Sequence, residues 1–286
     1  IPSVFWTTLL VPVIWRIGTL LRSERTGFIA ALLATFSFML QELTVGMINT
    51  DHNDTVFIAL IACSWWAWLE HMRKAVMHWA IAAGAFSAGA VLTKWHVGAI
   101  VFGPWCLWAM HERFRPAVLK GLLSGAFTFV LPVSAWLFHI FSWFPAEARF
   151  EWYFKSHHFT LAMDGHTGTG LFHFDAIGTL LPPFTWWIIL PSCGYLIRRL
   201  QHPAHRLLVA FSLLAVHLFF AFAATKMVCY TMVLLPIYLV AVGCVLDDAL
   251  ERIRNVRAQK LGLVFVCAVL GWYGFDLPRI QATHTL

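Results

Sequence analysis

The chain alternates between long apolar runs and short polar connections. About ten of the runs are long enough for a helix to cross a bilayer, which takes about 17–25 mostly apolar residues. These runs cover 2–21, 27–43, 54–72, 75–93, 96–111, 117–142, 173–197, 207–225, 227–246 and 261–278. The pattern therefore predicts an all-α polytopic membrane protein with about ten transmembrane helices, in which residues 1–286 form a single transmembrane domain.

The composition agrees with this class and excludes two others. Hydrophobic residues make up 60% of the chain and charged residues only 12%, which no soluble globular domain of this length requires. The net charge of +6 does not indicate a nucleic-acid partner, because the basic residues occur in twos and threes between apolar runs and form no basic face. The six cysteines lie inside apolar runs without a CxxC pair, so we interpret them as small buried hydrophobes.

The basic residues predict the orientation of the chain in the membrane. Fourteen of the twenty lie in alternate connections: Arg22, Arg25, Arg73, Lys74, Arg113, Arg115, Lys120, Arg198, Arg199, Arg206, Arg252, Arg254, Arg257 and Lys260. By the positive-inside rule these connections face the cytoplasm. The other connections, which contain Asp54, Lys94, Lys226 and residues 145–174, are then predicted to lie on the outer side.

Two isolated lysines on the predicted outer side are candidates for chemistry. Lys94 and His96 interrupt an apolar field that runs from Ala75 to Met110, and Lys226 stands four residues before Tyr230. Since a charge in hydrocarbon costs several kcal/mol, each lysine is expected at a helix end. One interpretation is that the lysines cap helix C-termini or reach the lipid headgroups. The other is that they bind an anionic group such as phosphate.

Residues 145–174, the outer segment, form the longest connection and are predicted to be an amphipathic loop on the outer face. Aromatic and charged residues are interleaved over 150–159, which predicts a short helix parallel to the membrane plane. His157, His158 and His166 offer nitrogen ligands for a divalent metal, but their spacing matches no strict signature. An interfacial loop without metal is the alternative interpretation.

Four stretches carry a resemblance to a known family. They are INTDHNDTVFIAL (48–60), GAVLTKWHVGAI (89–100), FEWYFKSHHF (150–159) leading to LLPPFTWWIILP (180–191), and ATKMVCYTMVLLPIYLVAVG (224–243). Their order resembles the GT-C membrane glycosyltransferases, specifically the superfamily of protein O-mannosyltransferases and aminoarabinose (lipid A) transferases. The chain departs from the family at Trp95, where an LTKG segment has glycine. It departs again at Ser156-His157-His158, which lacks the family's glutamate and arginine.

The resemblance implies transfer of a sugar from a polyprenyl-phosphate-linked donor to an acceptor on the outer face of the membrane. Lys94 and Lys226 would bind the phosphate with Tyr230, His96 would belong to the same substrate-binding set, and Asp54 would be an accessory carboxylate that orients the acceptor or a lysine. The expected partners are the lipid-linked donor and membrane lipids, with a protein hydroxyl, a lipid or a glycan as acceptor. No cofactor is required, and the expected location is the inner (plasma) membrane of a bacterium.

The family's catalytic acid lies in its first outer loop, which would precede Ile1. The resemblance thus implies a transmembrane body without the family's first helix and general base. A transporter and a non-catalytic membrane scaffold are the alternative functions. A transporter predicts midplane charges and similar halves, whereas here the charges cluster at one face and the halves are dissimilar. Without a catalytic acid in the sequence, the scaffold remains an open alternative.

Overall fold

The computed structural model describes residues 2–46, 53–94, 96–163, 165–177, 186–253 and 255–274. Within these ranges the chain forms helices and no strands. The α-helices are α1 Pro2–Leu21, α2 Glu24–Thr35, α3 Phe38–Val45, α4 Asn53–Lys74, α5 Met77–Thr93, α6 Phe102–His111, α7 Pro116–Trp143, α8 Pro145–Thr160, α9 Phe172–Ile177, α10 Trp186–Arg199, α11 Pro203–Phe222, α12 Leu235–Glu251 and α13 Val256–Gly274. Two 3-10 helices cover His96–Ala99 and Val228–Leu234. The predicted all-α class is confirmed.

The helices begin where the sequence provides start signals. Proline occupies the first turn of α7, α8 and α11, where its missing N–H costs nothing and its fixed φ suits the helix. Ser23 caps α2, since its hydroxyl accepts a hydrogen bond from the Thr26 amide at 3.0 Å. Ser37 caps α3 in the same way, through the Leu40 amide at 3.4 Å. This cap divides the apolar run 27–43 into two helices.

Five helical segments of the described ranges are long and apolar enough to cross a membrane. They are α1, α4, α7, α11 and the stretch Val228–Glu251, and a sixth is counted if α2 and Met39–Val45, bent by 51°, form one span. Of the remaining predicted runs, 75–93 and 96–111 contain the shorter helices α5 and α6, while 173–197 and 261–278 lie partly outside the described residues. The chain is an integral, polytopic membrane protein.

Helices α4 and α12 form the centre of the bundle. In the most apolar part of α4, and equally in Val228–Glu251, 83% of residues are buried, against 17% in α7. A helix that is apolar all round belongs inside other helices, and Trp65 and Trp68 of α4 are fully buried together with Trp105. Because α4 and α5 are joined by a short turn, the first residue of α4 and the last of α5 meet at one end of the bundle.

Glycines bring two helix pairs into backbone contact. A Cβ on Gly84 of α5 would lie 2.0 Å from the carbonyl oxygen of Gly125 in α7. A Cβ on Gly18 of α1 would lie 2.6 Å from Cα of Gly27 in α2. Small residues allow such close approach in membrane bundles, where packing replaces the hydrophobic driving force. The α5–α7 contact fixes the helix that ends beside Lys94.

Two adjacent aspartates of α12 join three parts of the chain at the other end of the bundle. The Asp248 carboxylate accepts hydrogen bonds from Arg22 at 3.0 Å, from Tyr195 at 2.6 Å and from Arg199 at 2.7 Å. Asp247 pairs with Arg25 and also accepts bonds from the hydroxyls that begin α2. These contacts connect the α1–α2 turn, α10 and α12.

A second acidic centre lies at this same end. Glu70, in the last turn of α4, is buried and pairs with Arg16 at 2.6 Å, Arg73 at 3.0 Å and Lys74 at 3.2 Å. Asp54 occupies the opposite end of α4. The two charge groups that the sequence assigns to opposite sides of the membrane therefore lie at opposite ends of the bundle.

Candidate functional site

The centre of the candidate site is an ion pair between Lys94 and Asp54. Asp54 lies in the first turn of α4, where a negative charge is favoured by the helix dipole, and Lys94 directly follows α5. The Lys94 ammonium is in salt-bridge contact with the Asp54 carboxylate. The side chain of Asp54 is 4% exposed and that of Lys94 is 21% exposed, so the lysine forms the accessible side of the pair. The structure thus brings together two residues that the sequence placed forty positions apart.

His96 connects this pair to the next elements of the site. It begins the 3-10 helix after α5, which is fixed by a 2.7 Å hydrogen bond from the Ser87 hydroxyl to the Gly98 carbonyl. The His96 ring lies 5.0 Å from the ring of Phe219 in α11 and 6.1 Å from that of Phe159 in α8. Burial lowers the pKa of His96 below its ordinary value, which favours the neutral imidazole.

Lys226 lies in the turn after α11, which we call the Lys226 turn (residues 223–227). It is 4% exposed, and its ammonium donates hydrogen bonds to the carbonyls of Phe220 at 2.9 Å and Ala221 at 2.8 Å. These carbonyls belong to the last turn of α11, so Lys226 caps a helix C-terminus in this structure. Burial lowers the pKa of Lys226 below its ordinary value. The cap is one of the two interpretations that the sequence left open for this lysine.

Tyr230 and His173 surround the same turn. The Tyr230 ring stacks on Phe220 at 4.5 Å and lies 6.3 Å from the ring of His173. His173 is the second residue of α9 and is 1% exposed. Burial, with the nearby positive charge of Lys226, lowers the pKa of His173 to about 4. His173 is therefore a neutral group beside the lysine at physiological pH.

The outer segment contains the helix that the sequence predicted. Residues 150–159 lie within α8, which confirms their helical structure, while their orientation parallel to the membrane plane stays a prediction. His157 bonds through Nδ1 to the Tyr153 carbonyl of its own helix at 2.7 Å. Across the described ranges, no three His, Cys, Asp or Glu side chains gather as a metal site. The geometry around His157, His158 and His166 therefore gives no support to the metal interpretation.

Sequence reasoning missed the residues that join the outer segment to the Lys226 turn. Three backbone hydrogen bonds of 3.0 Å make this junction: Ala224 N–H to Phe159 O, Thr225 N–H to His158 O, and Lys226 N–H to His166 O. Phe159 also packs against Phe219 of α11, with ring centroids 4.7 Å apart. No periodic or charge signal marks Thr225 or Phe219, because their role depends on contacts about sixty residues away.

Comparisons with known proteins bear on both the sequence and the fold. Residues 1–138, which include Asp54, Lys94 and His96, match the family model described as Dolichyl-phosphate-mannose-protein mannosyltransferase. No curated protein sequence matches the chain.

Two solved structures of ArnT from Cupriavidus metallidurans share the fold. The structure bound to undecaprenyl phosphate matches with a TM-score of 0.69 and 18% identity, over 93% of this chain and 49% of ArnT. The apo structure matches with a TM-score of 0.69 and 17% identity, over 92% of this chain and 47% of ArnT. The chain thus spans about half the length of ArnT. The family match and the shared fold confirm the resemblance drawn from the sequence motifs: this chain is similar to the GT-C membrane glycosyltransferases.

Proposed function

We propose that this chain holds the donor-phosphate site of a membrane glycosyltransferase, which moves a sugar from a polyprenyl-phosphate-linked donor to an acceptor on the outer face of the membrane. The observation that carries the proposal is the Lys94–Asp54 pair at the end of α4 and α5. It places a partly exposed cation on a buried carboxylate, at the position of the LTK-containing motif. The expected location is the inner (plasma) membrane of a bacterium.

The pair suits a reaction in which a phosphate leaves. As the bond between sugar and phosphate breaks, negative charge grows on the phosphate oxygens, and a fixed cation stabilises that charge. Asp54 holds the lysine in one orientation, so less reorganisation is needed when the charge appears. Tyr230 adds a hydroxyl donor. Lys226 adds a second cation when its ammonium leaves the α11 carbonyls and donates to phosphate oxygens instead.

A groove between α7 and α8 offers a place for an isoprenoid tail. Its volume is about 740 Å³, and its lining residues include Leu137 and Phe141 of α7 and Arg149 and Trp152 of α8. Helix α8 continues from this groove to Phe159, which lies beside His96. A lipid lying along α8 would therefore bring its headgroup toward the Lys94 end of the bundle.

The comparisons support the donor class in one respect. The ArnT structure with the same fold is bound to undecaprenyl phosphate. Transfer also needs a carboxylate to deprotonate the acceptor. Asp54 is committed to Lys94 here, so we assign it the orientation of the lysine rather than that role. The acceptor is a hydroxyl of a protein, a lipid or a glycan.

The test is Lys94→Met in the full-length protein. Methionine keeps an unbranched side chain that is one atom shorter than lysine, and it removes the charge. We expect sugar transfer from a polyprenyl-phosphate donor in liposomes to fall by about a hundredfold or more, as for the loss of one preorganised donor to a developing anion. If Lys94 has only a structural role, the change removes the cation from the buried Asp54 carboxylate and costs about 3 kcal/mol of stability, while turnover per folded molecule stays at the wild-type value.

Lys155→Met is the matched control. Lys155 lies on α8 in the outer segment, is 47% exposed in its side chain, and lies 3.9 Å from the Glu151 carboxylate. It should transfer sugar at the wild-type rate. A well-folded Lys94→Met protein with wild-type turnover would refute the phosphate-site assignment.

A further inference from the structure

The Lys226 turn is held by the outer segment as well as by α11. Residues 224–226 donate their backbone N–H groups to carbonyls of Phe159, His158 and His166, each at 3.0 Å. A buried N–H group must find an acceptor, and here the outer segment supplies all three. The position of the turn therefore depends on where the outer segment lies.

The Thr225 side chain adds two further bonds to this junction. Thr225 is 0% exposed. Its hydroxyl donates to the Leu161 carbonyl at 3.0 Å and accepts from the Met163 amide at 3.1 Å. One hydroxyl thus uses both its donor and its acceptor capacity on the segment that follows α8. The two bonds span the stretch between the backbone pairs at Phe159 and His166.

We propose that Thr225 is a positioning residue for the phosphate site, acting through Lys226 and Tyr230. Lys226 is the next residue in the chain. Tyr230 lies in the 3-10 helix that follows, and its backbone N–H donates to the Met227 carbonyl at 3.2 Å. A shift of Thr225 consequently moves both groups. This inference rests on the proposed function, because the phosphate is the ligand that these groups would bind.

The same tether reaches the Lys94 side of the site. Phe159, whose carbonyl accepts the Ala224 amide, packs its ring on Phe219 at 4.7 Å and lies 6.1 Å from His96. His96 in turn follows Lys94 by two residues. Thr225 therefore holds together the elements that carry the two lysines, while its hydroxyl bonds to Leu161 and Met163 rather than to either lysine.

The test compares Thr225→Val with Thr225→Ser in the full-length protein in lipid nanodiscs. Valine keeps the shape of threonine but removes both bonds, leaving the Leu161 carbonyl and Met163 amide without their partner. We expect hydrogen exchange at the amides of residues 163 and 224–226 to speed up, and the dissociation constant for undecaprenyl phosphate to rise, each by about tenfold. Thr225→Ser retains the hydroxyl and should restore both values to near wild type.

Thr231→Val is the matched control. Thr231 is also 0% exposed, and its hydroxyl has no hydrogen-bond partner among the residues that the structure describes. The same substitution there removes no bond, so exchange and affinity should equal those of the wild type. An equal loss of affinity in Thr231→Val, or wild-type affinity in Thr225→Val, would overturn the proposal.

Two further results separate the possible failures. If Thr225→Val does not fold, Thr225→Cys replaces it, because a thiol is a weaker donor and acceptor than a hydroxyl. It should bind the probe more weakly than Thr225→Ser, and equal affinity of the two counts against the proposal. If the wild type itself does not bind undecaprenyl phosphate, the proposed function is wrong and the positioning role falls with it. The exchange data still decide whether Thr225 tethers the turn.

Discussion

Replacing Asp248 by Asn tests whether the charge cluster at the predicted cytoplasmic end stabilises the bundle. The substitution keeps the size of the side chain and removes the charge that Arg22, Arg199 and Tyr195 share at 2.6–3.0 Å. Asp248 is 5% exposed in its side chain, so water cannot replace the lost contacts easily. Helices α10 and α12 and the α1–α2 turn lose their common anchor.

The size of the effect follows from the exposure of the partners. Removing one partner of a buried ion pair costs about 3–5 kcal/mol. The side chains of Arg22 and Arg199 are 25% and 43% exposed, so both cations regain some hydration when Asp248 is gone. We therefore expect the lower end, about 3 kcal/mol. Tyr195→Phe removes a single hydrogen bond to a charged group and should cost about 1.5 kcal/mol.

The assay is the thermal unfolding midpoint in a mild detergent, followed by intrinsic tryptophan fluorescence. A loss of 3 kcal/mol should lower the midpoint by about 5–10 °C. Glu251→Gln is the control, because Glu251 is 56% exposed and its 3.0 Å pair with Arg25 is worth about 0–1 kcal/mol. If Asp248→Asn melts as the wild type does, or no lower than Glu251→Gln, the cluster does not stabilise the fold as argued.

Two further perturbations have signs fixed by the structure. Gly84→Ala places a methyl group 2.0 Å from the Gly125 carbonyl and should cost about 1–3 kcal/mol by forcing α5 from α7. Gly194→Ala is the control, because a methyl group there meets no described atom within 4 Å and should be neutral or stabilising. Equal melting points for Gly84→Ala and Gly194→Ala would refute the close contact between α5 and α7. The folded-state pKa of His173 is about 4, below its ordinary 6.5, so between these pH values the unfolded chain binds a proton at His173 more readily than the folded chain does. The free energy of unfolding therefore has its full value, as far as His173 is concerned, above pH 6.5. It falls by about 3 kcal/mol as the pH drops to 4, and melting curves from pH 4 to 8 should lose this slope in His173→Gln; identical slopes would refute it.

The sequence was most informative where a charge had to avoid hydrocarbon. The cost of burying a cation predicted that Lys94 lies at a helix end, and α5 does end at Thr93. The alternation of basic connections placed Asp54 and Lys94 on one side, and the structure shows them in contact. Both inferences use free energies large enough to dominate any other local preference.

The sequence could not choose between the two roles of Lys226. A lysine has a long flexible side chain, so its amine can reach either the carbonyls of the preceding helix or a ligand in front of it. The structure shows the first, with two bonds to α11. Thr225 was not predicted for a different reason: its two partners lie 62 and 64 residues earlier, and nothing in a single threonine reports such a contact.

The charged residues at the other end of the bundle were interpreted too narrowly. Arg22, Arg25 and Arg199 were assigned to orientation alone, yet all three pair with the aspartates of α12. The aspartates follow an unbroken apolar stretch, so their sequence context resembles an ordinary helix end. Only the packing of α2 and α10 against α12 shows that these charges also hold helices together.

The pairing of Lys94 with Asp54 has a consequence for product release in the proposed reaction. A sugar-linked phosphodiester carries one negative charge, whereas the polyprenyl phosphate left behind carries about 1.5 to 2 at pH 7. A lone lysine would hold the spent carrier more tightly than the donor, since attraction grows with charge. Asp54, next to that lysine, repels the doubly charged carrier more strongly than the singly charged donor. The same carboxylate that orients Lys94 would thus shorten the stay of the spent carrier and allow the next donor to enter.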